Sequence, residues 1–245
     1  MVRLYLNVPY AEKDEAKALG AKWNAKIKKW YIEKKEEEYC KFSKWILRDT
    51  DVAFIAMSYI YIIEGKRECW KCGNTTTVIG LGLDEFVYLS REEDDYQNEI
   101  IESYINPTEI LRIGWVDNPD DIPPKLLRYI TEKYSVRMGY SKIAGRNFAN
   151  HCDCCGAIQG NWNLFEEPDS PFDTCVEDDK LEEKISKLKI IGIPIEDNLQ
   201  LKWLLSFGSD DFVYFQYSQF EELILSDDPL NECITYEELY EIESN

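Results

Sequence analysis

Two Cys-x-x-Cys pairs, each followed at once by glycine, constrain this chain more than any other feature. They are Cys69 with Cys72, and Cys152 with Cys155. A two-residue spacer lets a tight turn direct both sulfurs to one ion, and glycine tolerates the positive φ that such a turn requires. Four thiolates form a closed tetrahedral shell without a position for a catalytic water. The spacing therefore predicts one structural zinc ion, with each pair at the tip of a β-hairpin, as in a zinc ribbon.

The separation between the two pairs is unusual, because 79 residues lie between Cys72 and Cys152. The two Cys-x-x-Cys-Gly turns, residues 69–73 and 152–156, are called the first and second knuckle below. The prediction therefore requires a long insertion between the two knuckles. Two alternatives stay open at this point. The cysteines are buried free thiols, or a neighbouring side chain, His151 or Cys154, replaces one knuckle cysteine. The i, i+3 spacing favours Cys152 and Cys155 as the ligands of the second knuckle.

The chain has 8 cysteines, which in a secreted protein would suggest a disulfide framework. The N-terminus lacks a basic stretch followed by a long apolar run, so we identify no secretory signal. The longest apolar stretch, residues 52–63, is interrupted by Ser58 and is too short to span a bilayer. We therefore expect a cytoplasmic protein without membrane association, in which Cys40, Cys175 and Cys233 are core or surface thiols.

The first 48 residues carry a compact pattern of a strand, a helix and a hairpin. The strand covers residues 4–8, the helix residues 11–19 and the hairpin residues 22–32. A unit of about forty residues is marginal alone, so we expect it to lean on a helix at residues 36–47 or on the next domain. Trp23 and Trp30 lie on the two arms of the hairpin, and we expect them to form the core of this unit.

A second interpretation of the hairpin is a nucleic-acid-binding surface. Residues 1–48 carry 12 Lys and Arg against 7 Asp and Glu, whereas residues 160–245 carry 5 against 22, and the net charge is −19. The acidic part would repel a phosphate backbone, while the first segment could approach one. Cations and aromatic rings on one face are typical of single-strand binders. The candidate residues for such a face are Lys22, Trp23, Lys26, Lys28, Lys29 and Trp30.

The stretch LNVPYAEKDEAKALGAKWNAKIKKWYI, which begins at Leu6, resembles a small bacterial domain of unknown function. The signature of that domain reads LNVPY, then GAKWD, then KRWYV, and Asn24 stands where the family more often has aspartate. The domain is found on plasmid conjugation primases, helicase-like proteins and other mobile-element proteins. The stretch is also similar to short strand–helix–hairpin modules attached to annealing helicases. The resemblance implies a context of DNA metabolism.

The stretch FANHCDCCGAIQGNWNLF resembles a zinc-ribbon half that recurs in uncharacterised bacterial proteins and typically reads ANHCPHCGALQGDW. The cysteines of that pattern match Cys152 and Cys155, and Cys154 stands where the family has histidine. The sequence CWKCG at residues 69–73 resembles the first knuckle of the same family. The resemblance implies that the two knuckles pair, and that Cys154 is not a ligand. It implies no activity.

The remaining patterns mix strands and helices. Residues 52–63 predict a strand or a buried helix, and residues 75–83 predict a strand. In the acidic region, residues 181–188 have helical spacing before a stop at residues 192–194, and residues 212–215 predict a strand. We therefore predict an α+β protein with three parts. These are a strand–helix–hairpin module over residues 1–48, a zinc-ribbon domain with a long insertion over residues 49–172, and an acidic α+β segment over residues 173–245 that packs on it.

No motif in the sequence identifies an enzyme. The single histidine, His151, adjoins a predicted metal ligand, and the phosphate-binding and nucleophile motifs of common enzyme classes are absent. We therefore predict a non-catalytic, zinc-stabilised binding protein accessory to DNA or mobile-element processes. The alternative is an acidic adaptor or inhibitor of a basic protein partner, including one that mimics DNA. A third hypothesis, a metal-dependent hydrolase, would require carboxylates that converge in a pocket.

Overall fold

A computed structural model describes nine ranges of the chain. These are residues 2–93, 98–106, 110–142, 145–168, 170–173, 178–201, 209–211, 213–225 and 236–241. Within these ranges the strands form four sheets, accompanied by short helices, which confirms the predicted α+β class. None of the described helices is long and apolar enough to cross a bilayer.

The N-terminal module is a three-stranded antiparallel sheet with short helical segments. Its strands are β1 (Leu4–Leu6), β2 (Lys22–Asn24) and β3 (Lys29–Ile32), in the order β1-β3-β2. Its helices are α1 (Lys13–Ala18) and α2 (Ser43–Ile46), preceded by 3-10 turns at Tyr10–Glu12 and Glu36–Phe42. The predicted strand, helix and hairpin are confirmed, although α1 is shorter than predicted.

The N-terminal module packs against the next sheet of the protein. Its buried side chains Tyr39, Phe42 and Trp45 belong to the same apolar cluster as Ala53 and Leu89 of the next sheet. Burial of large aromatic side chains contributes about 1.5–3 kcal/mol each. The expectation that this small unit leans on the next domain is therefore confirmed.

The central region builds two larger sheets. Its strands are β4 (Val52–Ala56), β5 (Tyr59–Glu68), β6 (Thr75–Leu83), β7 (Phe86–Glu93), β8 (Glu99–Ile105) and β9 (Leu111–Gly114). The apolar run at residues 52–63 divides at Met57, whose N–H donates to the Glu85 carbonyl at 3.0 Å. The run therefore supplies β4 to a four-stranded sheet that includes β7 and β8, and β5 to a six-stranded sheet that includes β6 and β9.

The second half of the central region forms a small sheet beside a helix. Its elements are α3 (Pro124–Lys133), β10 (Val136–Ser141), β11 (Gly145–His151), β12 (Ile158–Gln159) and α4 (Trp162–Phe165), and the strand order is β10-β11-β12. Leu126 and Ile130 of α3 are buried in the main core with Phe148 of β11. This arrangement brings the end of β11 close to the end of β5.

The acidic segment is built into the central sheets. Its elements are α5 (Asp178–Ile185), β13 (Lys189–Pro194), β14 (Leu199–Leu201), β15 (Ser209–Asp211), α6 (Val213–Tyr217), β16 (Gln219–Glu222) and α7 (Tyr236–Leu239). Strand β13 lies between β5 and β16, antiparallel to the first and parallel to the second. Ile190, Ile191 and Ile193 are buried in the main core with side chains of β5 and β6. The segment therefore packs on residues 49–172 and shares a core with them, and the three-part division of the chain stays a prediction.

Two predictions for the acidic segment are wrong. Residues 192–194 do not stop a helix but complete β13, because the flanking isoleucines are buried on both faces of the sheet and Gly192 leaves room for the Phe220 ring. Residues 213–217 form a helix in place of the predicted strand, and Phe212 lies outside the described residues. Tyr214 is buried there and donates from its hydroxyl to the Phe172 carbonyl at 2.9 Å. A short apolar run does not distinguish helix from strand by periodicity.

Candidate metal centre

The first knuckle is the tip of the hairpin formed by β5 and β6. Two backbone hydrogen bonds close it: the Cys69 N–H donates to the Asn74 carbonyl at 2.9 Å, and the Gly73 N–H donates to the Cys69 carbonyl at 2.9 Å. Gly73 has a φ of +72°, a conformation that is costly for any residue with a Cβ. The glycine after the second cysteine is therefore needed for the turn.

The second knuckle repeats this geometry between β11 and β12. The Cys152 N–H donates to the Ala157 carbonyl at 2.8 Å, and the Gly156 N–H donates to the Cys152 carbonyl at 2.9 Å. Gly156 has a φ of +69°. The Cys-x-x-Cys-Gly sequence thus folds into the same turn twice, and each turn directs its two sulfurs towards those of the other turn.

The two turns bring their four sulfurs together. The Sγ atoms of Cys69, Cys72, Cys152 and Cys155 all lie within 4.8 Å of one another. The Cys69–Cys155 and Cys72–Cys152 pairs are each separated by 3.7 Å. A tetrahedral ion with metal–sulfur bonds of about 2.3 Å would place its ligands roughly 3.8 Å apart. The four cysteines therefore lie close enough together to hold one metal ion.

A polar clasp joins the two knuckles across the long insertion. Asp153, inside the second knuckle, accepts from the Thr76 hydroxyl at 3.0 Å and from the Thr77 N–H at 3.1 Å. The Asp153 N–H donates in return to the Thr76 hydroxyl at 2.9 Å. Asn150 binds both backbone groups of Ile79 through its side-chain amide, at 2.8 and 2.9 Å. The insertion thus returns to the first hairpin through specific contacts, and separation in sequence is no obstacle to the site.

Burial and hydrogen bonds move the thiol pKa values in opposite directions. Burial raises the pKa of Cys69, but the N–H groups of Lys71 and Cys72 and the neighbouring thiols outweigh it, and the pKa falls to about 6. The Ala157 N–H lowers the pKa of Cys155, but burial and the adjacent thiols outweigh that bond and raise the pKa to about 12. Thiolates at this spacing repel one another, so ionisation of all four requires a cation among them.

The two alternative ligands lie outside the four-sulfur group. His151 is buried, its Nδ1 lies 2.9 Å from the Ala149 carbonyl, and its ring covers Gly139, where a Cβ would be 2.7 Å from Nε2. Burial lowers the pKa of His151. Cys154 is exposed and accepts from the Asn74 amide at 3.2 Å. The structure therefore groups Cys152 and Cys155, and neither alternative, with the first knuckle.

Three polar side chains support the knuckles, and sequence reasoning missed all of them. Gln159 is buried, and its amide donates to Cys69 Sγ at 3.4 Å. Asn74 donates to Cys72 Sγ at 3.5 Å. The Trp70 indole N–H donates to the Ile158 carbonyl at 2.8 Å, which joins the first knuckle to β12. Donors of this kind orient metal ligands and stabilise their negative charge. Gln159 follows Cys155 by four residues, and no local pattern marks it as a donor to Cys69.

The hairpin tryptophans are not the core of the N-terminal module, which corrects the expectation from sequence. Trp23 and Trp30 are directly opposite in the β2–β3 register, and their ring centroids are 5.6 Å apart in an edge-to-face arrangement. Trp30 is partly buried against the module core, whereas Trp23 is 50% exposed. The core is filled by Tyr39, Phe42 and Trp45 from the following segment instead.

The candidate lysines do not share one face with the tryptophans. Side chains alternate along a strand, so Lys22, opposite Tyr31, and Lys29, opposite Asn24, lie on the face away from Trp23. Lys29 donates to Asn7 at 3.2 Å, Lys22 pairs with Glu33, and Lys26 pairs with Glu237 at 2.6 Å. Lys28 is exposed in the turn. The structure therefore exposes the Trp23 ring and a lysine-rich turn at residues 25–28, which carries Lys26 and Lys28. The nucleic-acid surface stays a prediction.

Comparison with known proteins identifies relatives of the N-terminal module. Residues 3–46 match the model of a domain of unknown function, DUF5710. Two curated relatives, both described as DNA primase TraC from Escherichia coli, are 49% identical to this chain over 43 residues. The match covers 18% of this chain and 3% or 4% of each primase, so it spans a small fraction of those relatives. No solved structure matches the chain. The matched residues end before the first knuckle.

Proposed function

We propose that the four-cysteine centre holds one zinc ion with a structural role. The observation that carries the proposal is the 3.7 Å separation of the paired sulfurs. Four thiolates in a tetrahedron are the usual shell of structural zinc. A shell filled by four protein ligands leaves no position for a substrate or a water, so the ion would stabilise the fold and supply no chemistry. Free thiols at this spacing would persist in a reducing compartment, which fits the expected cytoplasmic location.

The overall function that fits best is non-catalytic binding in support of DNA transactions, including those of mobile elements. The similarity of residues 3–46 to DNA primase TraC supports this context. The exposed Trp23 and the lysine-rich turn beside it support contact with nucleic acid through this module. The strongly negative remainder of the chain would confine a phosphate backbone to the basic end of the molecule.

Binding of the full-length protein to a labelled single-stranded oligonucleotide tests this function. We expect fluorescence anisotropy to detect binding at about 50 mM salt that weakens towards about 200 mM, because phosphate contacts release counterions. Trp23→Ala should weaken binding by roughly 5-fold or more, because stacking on a base is lost. Trp162→Ala is the matched control, since Trp162 is 54% exposed and Trp23 is 50% exposed. The absence of binding at low salt, or equal effects of both variants, would contradict the proposal.

The second candidate is an acidic adaptor or inhibitor of a basic protein. The observation that favours it is the charge of residues 160–245, with 5 Lys against 22 Asp and Glu. A surface of this kind attracts basic partners and could occupy the DNA-binding face of one. Capture of a basic partner by immobilised protein, with release by salt, would support this candidate. Capture that salt does not reverse would oppose it.

A further inference from the structure

A cavity of about 310 Å³ lies where one face of the four-stranded sheet meets β9. The strand register places three aromatic residues directly opposite one another along its floor: Phe54 of β4, Tyr88 of β7 and Tyr104 of β8. The Phe54 ring centroid lies 5.3 Å from that of Tyr88 and 5.4 Å from that of Phe86. Phe54 is buried, Tyr88 is partly buried and Tyr104 is 43% exposed. The sheet therefore presents a row of rings that becomes accessible towards its edge.

A buried amide orients the polar groups at the rim of this cavity. Asn106 is buried, and its Nδ2 donates to the carbonyls of Asp84 and Ile110 at 2.6 and 2.8 Å. These bonds fix Oδ1, which accepts from the Tyr104 hydroxyl at 3.1 Å and from Arg112 Nε at 3.3 Å. A ring and a guanidinium are thus held in place before any ligand arrives, which reduces the ordering cost of binding.

We propose that this cavity binds a nucleobase. Its volume lies at the lower end of the range of about 300–1,000 Å³ for small-molecule sites, which suits one planar ring system. Every nucleobase has a face that stacks on aromatic rings and an edge with both donors and acceptors. Arg112 and Glu102 line the cavity and offer a donor and an acceptor to such an edge.

The choice of a nucleobase over another planar ring rests on the proposed role in DNA transactions. The base could belong to a free nucleotide or to a single strand. The acidic surroundings, with Glu102 at the rim and a net charge of −19, disfavour extensive phosphate contacts. Binding at this cavity therefore depends on stacking, and its dependence on salt is shallower than that of contacts made by the lysine-rich turn.

The test measures binding of the full-length protein to deoxyadenosine monophosphate and to a labelled oligodeoxyadenylate. Tyr104→Ala should weaken binding of whichever probe the site takes by roughly 5- to 150-fold, the range for loss of one stacking partner. Tyr140→Ala is the matched control, because Tyr140 is 75% exposed on β10 of a different sheet. Thermal melting of both variants confirms that they are folded. Photocrosslinking of a bromouracil oligonucleotide, mapped by mass spectrometry, gives a second readout at Tyr88 or Tyr104.

The outcomes separate this inference from the proposed function. Loss of oligonucleotide or nucleotide binding on Tyr104→Ala, with Tyr140→Ala unchanged, supports the cavity site and identifies its ligand source. Oligonucleotide binding that is unaffected by Tyr104→Ala but reduced by Trp23→Ala overturns the cavity site and leaves the proposed function intact. Mononucleotide binding without oligonucleotide binding supports the cavity and overturns the DNA-accessory role. If neither the mononucleotide nor the oligonucleotide binds, both the cavity site and the proposed function are overturned. This outcome includes the case in which an aromatic side chain of a protein occupies the cavity.

Discussion

Gly156 closes the second knuckle in a backbone conformation that residues with a side chain rarely adopt. Its φ is +69°, and an added Cβ would lie 3.2 Å from the Arg137 guanidinium. A left-handed conformation costs a non-glycine residue about 1–2 kcal/mol. We expect Gly156→Ala to lower the free energy of unfolding by about that amount in chemical denaturation, and to weaken metal retention.

The control for this substitution is Gly160→Ala. At Gly160 the nearest atom to an added Cβ is Asn163 Oδ1 at 3.6 Å, which is ordinary van der Waals contact. We expect a change within about 0.5 kcal/mol there. Equal stability of the two variants would contradict the role assigned to the glycine of the knuckle.

Protons compete with the metal for the cysteine sulfurs, so retention of the metal should depend on pH. The pKa of Cys69 is lowered to about 6, whereas the pKa of Cys155 is raised to about 12. Metal binding at neutral pH must therefore displace the proton of Cys155, and below about pH 6 protons compete with the metal even at Cys69. We expect a chromophoric chelator to extract the metal slowly at pH 7.5 and rapidly below about pH 6. Extraction at a rate independent of pH would oppose thiolate ligation.

Single residues differ in how well the sequence predicts them. The four cysteines were predictable because a local spacing dictates the turn that aims each pair. The supporting role of Gln159 is not predictable, because its contact with Cys69 Sγ forms only once the two hairpins meet. Trp23 was predicted to be core, but the following segment supplies enough buried aromatic surface to leave its ring half exposed.

At the scale of elements, the clasp between the knuckles depends on one hydroxyl. Thr76 is buried, donates to Asp153 and accepts from the Asp153 N–H. Thr76→Val removes both bonds and leaves the Asp153 N–H without this acceptor, so we expect a loss of about 1–3 kcal/mol in the free energy of unfolding, the sum of two hydrogen bonds. Thr77→Val is the control, because the Thr77 bond to Asp153 uses the backbone N–H. Similar losses in both variants would show that the clasp is not the cause.

Elements with a distinctive local pattern were predicted well. Strand β6 occupies residues 75–83 as predicted, because its threonine and branched residues favour a strand despite Gly80 and Gly82. Residues 212–215 are predicted as a strand because four neighbouring apolar residues carry no helical period, whereas residues 213–217 form a helix in which Tyr214 is buried and bonded to the Phe172 carbonyl. Pairings between distant elements, such as β5 with β13, leave no local pattern at all.

At the scale of the whole molecule, the acidic segment is structurally required. A chain ending at Phe172 would lack β13, and with it Ile190, Ile191 and Ile193 from the core shared with β5. Loss of the three buried isoleucines alone removes several kcal/mol of stabilisation from apolar burial. This loss is comparable to the free energy of unfolding of a typical domain. We expect residues 1–172 to be insoluble when expressed alone and to be recovered by co-expression with residues 173–245. A soluble, cooperatively melting 1–172 chain would contradict the requirement for the acidic segment.

The central region depends on one ion that joins two hairpins far apart in the chain. Metal analysis combined with native mass spectrometry of the purified protein tests this most directly. We predict one zinc per chain in the wild-type protein and in Cys154→Ser, whose thiol lies outside the four-sulfur group. In Cys69→Ser and Cys155→Ser we predict loss of the zinc together with a lower melting temperature. A folded wild-type protein without metal, or Cys155→Ser with full zinc content and unchanged melting, would contradict the account.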